Sequence, residues 1–154
     1  LEKYLASTQL TENHKYLIKI RASQINGCAY CINMHTKDAL KAGETQQRIF
    51  MLNAWKDTAL FTDEEKVVLA LAEEVTYIHK EGLSNVTYNK AIEFFGPVYL
   101  AQLVMAAATI NSWNRALLTW IPLTRHVLLY LFSRKTASMT LQQKAHLLKP
   151  FMIG

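Results

Sequence analysis

The stretch "SQINGCAYCINMHTKDALKAG", Ser23 to Gly43, holds both cysteines of the chain, Cys28 and Cys31, with His35 four residues after the second. If Cys28 opens a helix, Cys31 lies one turn on and His35 one turn further. Positions three and four apart share a helix face, so the three side chains converge on one small volume. Two thiols at this separation can close a disulfide across a first helical turn. A helix N-terminus offers unpaired N–H groups and the positive end of the dipole, and both favour thiolate over thiol. His35 can take the proton of Cys31 or stand beside the sulfur as a cation.

Other chemistries fit the trio less well. CxxCxxxH could supply three zinc ligands, with a fourth from His14 or His79, but there is no second CxxC and three ligands crowded on one helix suit a tetrahedron poorly. Haem attachment needs histidine directly after the second cysteine, where Ile32 stands. Two small buried cysteines beside a surface histidine are the structural alternative. The pattern is read first as a redox centre, with no metal and no cofactor.

The elements that must position the trio are helical. Thr11 starts a segment in which Leu17, Ile18 and Ile25 share an apolar face, and Asn26-Gly27 breaks it. The next helix runs from Cys28 to Ala42 and stops at Gly43. Thr45 begins "TQQRIFMLNAW", and Thr62 with Glu65 makes a capping-box pattern ahead of "KVVLALAEEVTYI". Ser84 can cap "NVTYNKAIEFF", Gly96 stops that helix, and Pro97 suits the first position of the next. "VYLAQLVMAAATINSWNRALL" is apolar on most sides, as a central buried helix is. No segment alternates as a strand does, and no repeat or low-complexity linker is evident. The expectation is an all-α compact multi-helix bundle of six to eight helices, with residues 1–118 as the domain and 119–154 as a helical extension, packed on the same domain or at an oligomer interface.

Composition bounds the rest. At 154 residues, 51% hydrophobic and 19% charged, the chain suits one domain with a real core and argues against disorder. Five glycines and three prolines are few for an all-β fold. The formal charge of +5 is uneven, because no acid follows Glu93 while six cations do. Those cations are spread through apolar sequence, without the dense patch and interleaved aromatics of a nucleic-acid stripe. The nearest candidate membrane segment, Ala116 to Phe132, is interrupted by Pro122, Arg125 and His126, so no span is expected and a buried or interface helix pair is preferred. No signal-peptide pattern stands in the residues given, and a cytoplasmic location is expected.

"KIRASQINGCAYCINMHTKDA", Lys19 to Ala39, closely resembles the signature of the alkylhydroperoxidase-D-like branch of the carboxymuconolactone decarboxylase family. "FTDEEKVVLALAEEVT" (Phe61–Thr76) and "ATINSWNRAL" (Ala108–Leu117) are similar too, so the likeness covers about residues 1–118 in order. The resemblance implies an all-helical fold, a homohexamer or homotrimer, and no catalytic cofactor. It implies hydroperoxide reduction recharged by a dithiol partner, in some members a lipoylated protein. Members without the cysteines include the decarboxylase that names the family, so the cysteines here argue against that chemistry. Carried over residue by residue, Cys31 would be the peroxide-attacking thiolate, Cys28 would resolve its sulfenic acid into a Cys28–Cys31 disulfide, and His35 would relay protons. An external dithiol would then reduce the disulfide by exchange.

Two positions depart from the pattern. Well-studied members place a glutamate twelve residues before the first cysteine, where this chain has Tyr16; Glu12, one turn earlier, is the substitute on the same helix. Some members carry histidine between the cysteines, where Tyr30 stands. Elsewhere, His79 is read as a helix-end cation before a group behind the site, and Asp38 as a solvated charge before an orienter of His35. Trp55, Trp113 and Trp120 are expected in core or interface, and Arg21 and Asn26 in structural pairings. A helical redox-sensing or binding oligomer without efficient turnover is the alternative to a peroxidase.

Overall fold

A left-handed glycine sets the geometry on which the site depends. The α2 helix (Glu12–Asn26) starts where the Thr11 hydroxyl accepts the His14 N–H, and ends where Gly27 adopts φ +69°, a region costly for residues with a Cβ. The chain turns at once into α3 (Ala29–Lys41), whose N-cap is Cys28, so α2 and α3 form a tight antiparallel hairpin. The structure, a computed structural model, describes the backbone of residues 1–135 and the side chains of residues 1–119.

Before the hairpin lies a short helix, α1 (Glu2–Ala6). After it come α4 (Gln46–Met51), capped by Thr45, and a 3₁₀ segment, Leu52–Asp57. The α5 helix (Asp63–Thr76) opens with the full reciprocal capping box of Thr62 and Glu65. The α6 helix (Asn85–Lys135) begins at the Ser84 hydroxyl, which accepts the Thr87 N–H at 3.2 Å, and is broken at Gly96 (φ +72°) directly before Pro97. Among the described residues there is no strand, and the fold is all-α as expected. The sequence pattern located α2, α3, α4, α5 and the Gly96 break; it did not foresee α1 or the 3₁₀ segment.

By contacts the chain divides into two compact units, Leu1–Leu117 and Leu118–Gly154. In the second, residues 118–135 are helical; the expectation for the remainder of the 119–154 extension falls outside the described residues, as does the side chain of Trp120. In the first unit one apolar cluster joins Ile18 and Ala22 of α2, Val68, Leu71 and Ala72 of α5, and Leu103, Ala106 and Ile110 of α6. A second joins Leu17 and Ile20 of α2 to Ala39 of α3, Leu52, Trp55, Phe61 and Leu69. Thus α2 is central, with its two apolar edges in different clusters.

Two carboxylates fasten the elements around this core. Glu65 accepts from Arg48 of α4 at 2.6 and 3.1 Å, from Asn13 of α2 at 2.6 Å and from the Thr62 N–H at 2.9 Å. Glu73 accepts from Arg21 of α2, the Trp55 indole N–H and Lys56. Burial alone would raise both carboxyls, but these donors outweigh it and hold both below the ordinary glutamate value.

Within Asn85–Thr119 there is a stretch that is long and apolar enough, by composition alone, to cross a membrane. It precedes the segment singled out in the sequence. One face of it, Leu103, Ala107 and Ile110, builds the core and its buried amides bond to the rest of the domain, while Val98, Trp113 and Leu118 are exposed, so it is packed on one side and not buried centrally as its sequence suggests.

Those amides form a network under the hairpin turn. Asn26 Nδ2 donates to Asn111 Oδ1 (2.8 Å) and Asn114 Oδ1 (2.9 Å); Asn114 Nδ2 donates to Ser23 Oγ (3.0 Å), and Asn111 Nδ2 to Thr76 Oγ1 (3.0 Å). Truncating Asn114, fully buried, leaves the buried Ser23 hydroxyl without its donor and removes one of the acceptors of Asn26. Asn114→Ala should lower unfolding stability by about 2 kcal/mol, read from the urea midpoint at constant slope; a change under about 0.5 kcal/mol, the level of an ordinary surface substitution, contradicts the assignment.

Candidate redox site

Cys28 and Cys31 are joined in a disulfide across the first turn of α3, with Cα atoms 5.3 Å apart. Cys28 is the N-cap, not the first helical residue: its Sγ accepts the Cys31 N–H at 3.4 Å. That contact places one sulfur where a helix stabilises negative charge. The Cys28 N–H bonds to the Ser23 carbonyl at 3.0 Å, so the asparagine network that holds Ser23 also holds the backbone of the disulfide. Both cysteines are buried, at 1% exposure, whereas Tyr30 and Met34 on the same helix are exposed beside them.

His35 lies one turn past Cys31 and is likewise buried, so the structure brings the expected trio onto one helix face. Its imidazole is held below the ordinary histidine value, first by burial and then by the positive charge of Lys19; Asp38 and Glu2 pull weakly the other way. A neutral imidazole can accept a thiol proton.

Glu12 and Tyr16 of α2 line one cavity with Ala39 and Ala42 of α3, and Leu17 and Ile20 share an apolar cluster with Ala39, four residues past His35. The Tyr16 phenol is raised above its usual value by burial first, and by Glu12 and Asp38, which makes it a still poorer acid near neutrality. The cavity, about 360 Å³, is shared with Asn13, Glu44, Arg48 and Glu65. Glu12, one turn before Tyr16 on α2, pairs with Lys15 at 2.9 Å.

Other expectations resolve as follows. His79 is exposed in the turn after α5, edge-on to Tyr77. His14, considered as a ligand, sits at the opposite end of α2 from the cysteines and bonds through Nδ1 to the Tyr99 hydroxyl at 2.7 Å. Among the described residues no group of three His, Cys, Asp or Glu side chains converges as a metal site requires. Arg21 and Asn26 make the structural pairings expected of them. Trp55 is buried in the core, whereas Trp113 lies outside it, half exposed, and donates to Glu2 Oε1 at 3.1 Å, which leaves the interface half of its expectation.

The sequence reading missed Ser23, Lys19 and Glu2 as neighbours of the site. Polar Asn111 and Asn114 recurring at helical spacing in an apolar helix signal buried partners and so point toward Ser23. Nothing local signals Glu2, which meets Trp113 from 111 positions away.

An all-helical domain with a disulfide across the first turn of a helix and a buried histidine one turn on defines a helical CxxC protein. Its family follows from comparison. Residues 1–74 match the model of the carboxymuconolactone decarboxylase family. The uncharacterized protein YdfG of Bacillus subtilis (strain 168) is 43% identical over 115 residues, 75% of this chain and 78% of its own length. A crystal structure from Agrobacterium tumefaciens, of a protein of unknown function and candidate antioxidant defence protein AhpD, superposes with a TM-score of 0.74 at 31% identity, over 77% of this chain and 81% of that one. The chain belongs to the carboxymuconolactone decarboxylase family, in its alkylhydroperoxidase-D-like branch.

His35 and His14 both bind protons less readily folded than unfolded. Folding stability should therefore fall as pH drops from the ordinary histidine value of 6.5 through their lowered folded values, and be flat above it in this respect. Urea midpoints across that window should show His35→Gln and His14→Gln each flattening the slope; an unchanged slope in both would mean that neither imidazole is held neutral.

Proposed function

We propose that the chain is a thiol-dependent peroxidase whose reacting groups are Cys31, Cys28 and His35. The observation that carries this reading is the Cys28–Cys31 disulfide at the α3 N-terminus, with the buried His35 imidazole one turn beyond it. Membership in a family whose relatives include a candidate antioxidant defence protein supports it.

In the reduced protein, His35 takes the proton of Cys31. The thiolate attacks the distal oxygen of a hydroperoxide; the O–O bond breaks, giving Cys31 sulfenic acid and an alkoxide that takes the proton back as alcohol. The Cys28 thiol attacks the sulfenic sulfur, releasing water and closing the disulfide. An external dithiol restores both thiols by two exchanges and leaves as its own disulfide. Because both sulfurs are buried, a small hydroperoxide fits the oxidative step, and exchange requires the first turn of α3 to open toward the exposed Tyr30–Met34 side. The lipoyl dithiol is the reductant class that the family resemblance favours.

The reading includes a homo-oligomer, a hexamer before a trimer, acting in the cytoplasm. Val98 and Phe94 of α6, exposed in the single chain, support self-association.

Steady-state hydroperoxide consumption with dihydrolipoamide or dithiothreitol tests the assignment. Cys31→Ser should abolish turnover. Cys28→Ser should give one oxidation per subunit and then stall, with the sulfenic acid trapped by dimedone. A Cys31→Ser variant as fast as the parent overturns the reading. A parent that oxidises once without turnover points instead to a redox sensor.

A further inference from the structure

A disulfide can be attacked at either sulfur, and the two sulfurs here are not alike. Cys28 Sγ accepts the Cys31 N–H at 3.4 Å, whereas Cys31 Sγ accepts no hydrogen bond among the described residues. The same bond, from an N-cap side chain to the N–H three positions on, starts α2 at Thr11 (3.2 Å), α4 at Thr45 (3.3 Å) and α5 at Thr62 (3.2 Å). At Cys28 a sulfur does what a threonine oxygen does there, at the longer distance of a larger atom. The backbone of Cys28 is fixed as well. Its N–H and that of Gly27 close α2 on the carbonyls of Ser23 (3.0 Å) and Gln24 (3.2 Å), the pairing of a Schellman motif. Ser23 is held in turn by Asn114 of α6. Cys28 thus ends one helix through its N–H and begins the next through its sulfur.

We propose that the reducing dithiol attacks Cys31 Sγ and that Cys28 Sγ departs as the thiolate that caps α3. The assignment deepens the reading of this disulfide as the form recharged in each cycle, and rests on it. A sulfur leaves faster the better its negative charge is held. A thiolate at an N-cap gains a charge-assisted hydrogen bond and the positive end of the helix dipole. In the first exchange one thiolate of the dithiol bonds to Cys31 Sγ, the Cys28–Cys31 bond breaks, and its electron pair stays on Cys28. In the second, the other thiolate of the dithiol attacks its own first sulfur, the bond to Cys31 breaks, and Cys31 leaves with the electron pair. The protein has gained two electrons, and the dithiol has become a disulfide. Of the dithiol's two protons, one ends on Cys31 and the other is divided between Cys28 and solvent according to pH. Access needs the Cys31 side chain to turn outward while its N–H keeps its place in the first turn. The same cap serves the oxidative half of the cycle, because Cys28 must be a thiolate when it closes on the Cys31 sulfenic acid.

The point of attack can be trapped in the oxidised full chain. A brief exposure to 2-mercaptoethanol, which has no second thiol, is stopped in acid, and free thiols are blocked with N-ethylmaleimide. Both cysteines fall in one tryptic peptide, Ala22 to Lys37, which is mapped unreduced by fragment-ion mass spectrometry. The mercaptoethanol adduct should sit on Cys31 and the maleimide on Cys28; the reverse placement, or an even mixture, overturns the proposal. Where no adduct survives the quench, ultraviolet thiolate absorbance of the reduced single-cysteine variants decides. Cys28, alone in Cys31→Ala, should ionise at lower pH than Cys31, alone in Cys28→Ala, and coincident or inverted midpoints overturn the proposal. Cys31→Pro removes the capping N–H in a first turn, where proline is tolerated. At neutral pH its Cys28 should react with iodoacetamide about threefold more slowly than in Cys31→Ala, and equal rates in the folded variant overturn the proposal. If Cys31→Pro loses helicity by circular dichroism, the order of the two midpoints decides alone. None of these readouts needs peroxide. A parent that consumes no hydroperoxide while the adduct maps to Cys31 sinks the peroxidase reading and leaves this assignment standing; turnover with the adduct on Cys28 sinks the assignment alone.

Discussion

The asparagine network beneath the Gly27 turn is the constraint on which the rest of the site depends. Asn26, the last residue of α2, donates to Asn111 and Asn114 of α6, and Asn114 donates to Ser23, whose carbonyl receives the Cys28 N–H. The amides of Asn111 and Asn114 are buried and have no water to fall back on, so their partners must stay in place. A hairpin turn that would otherwise be an exposed, frayed connection is locked to α6. The disulfide begins at the first residue beyond that lock.

A second consequence concerns charge. The domain brings Glu65 and Glu73 inside but gives each several donors from different elements, so both remain ionised and serve as fasteners. Around His35 the logic is reversed. There burial first, and the Lys19 charge second, make the imidazole harder to protonate, and burial does the same at His14. One small core thus holds two carboxylates charged while it disfavours the charged form of two histidines.

Much of this was legible in the chain itself. The trio of Cys28, Cys31 and His35 follows from helical spacing, and the caps at Thr11, Thr45, Thr62 and Ser84 follow from local hydrogen-bond chemistry. The break at Gly96-Pro97 is equally local, since positive φ and a missing N–H need no tertiary partner to be recognised. The α1 helix was not legible, because five residues without a side-chain N-cap carry too little pattern. Which side of the core-or-interface expectation Trp113 takes was not legible for a related reason: helical periodicity in a helix apolar on most sides does not say which face the core takes.

What the sequence by itself determined is therefore the CxxC motif with its histidine, its place at the start of a helix, the all-α class and the family. These rest on spacings within a few residues of one another, where covalent geometry and helix pitch leave little freedom. Only the tertiary structure decided that Glu2 meets Lys19 and Trp113, and that Asn26, Asn111 and Asn114 close on one another and on Ser23 beneath the disulfide. Those relations depend on how tightly the chain turns at Gly27 and on contacts between residues more than a hundred positions apart, and no local spacing encodes them.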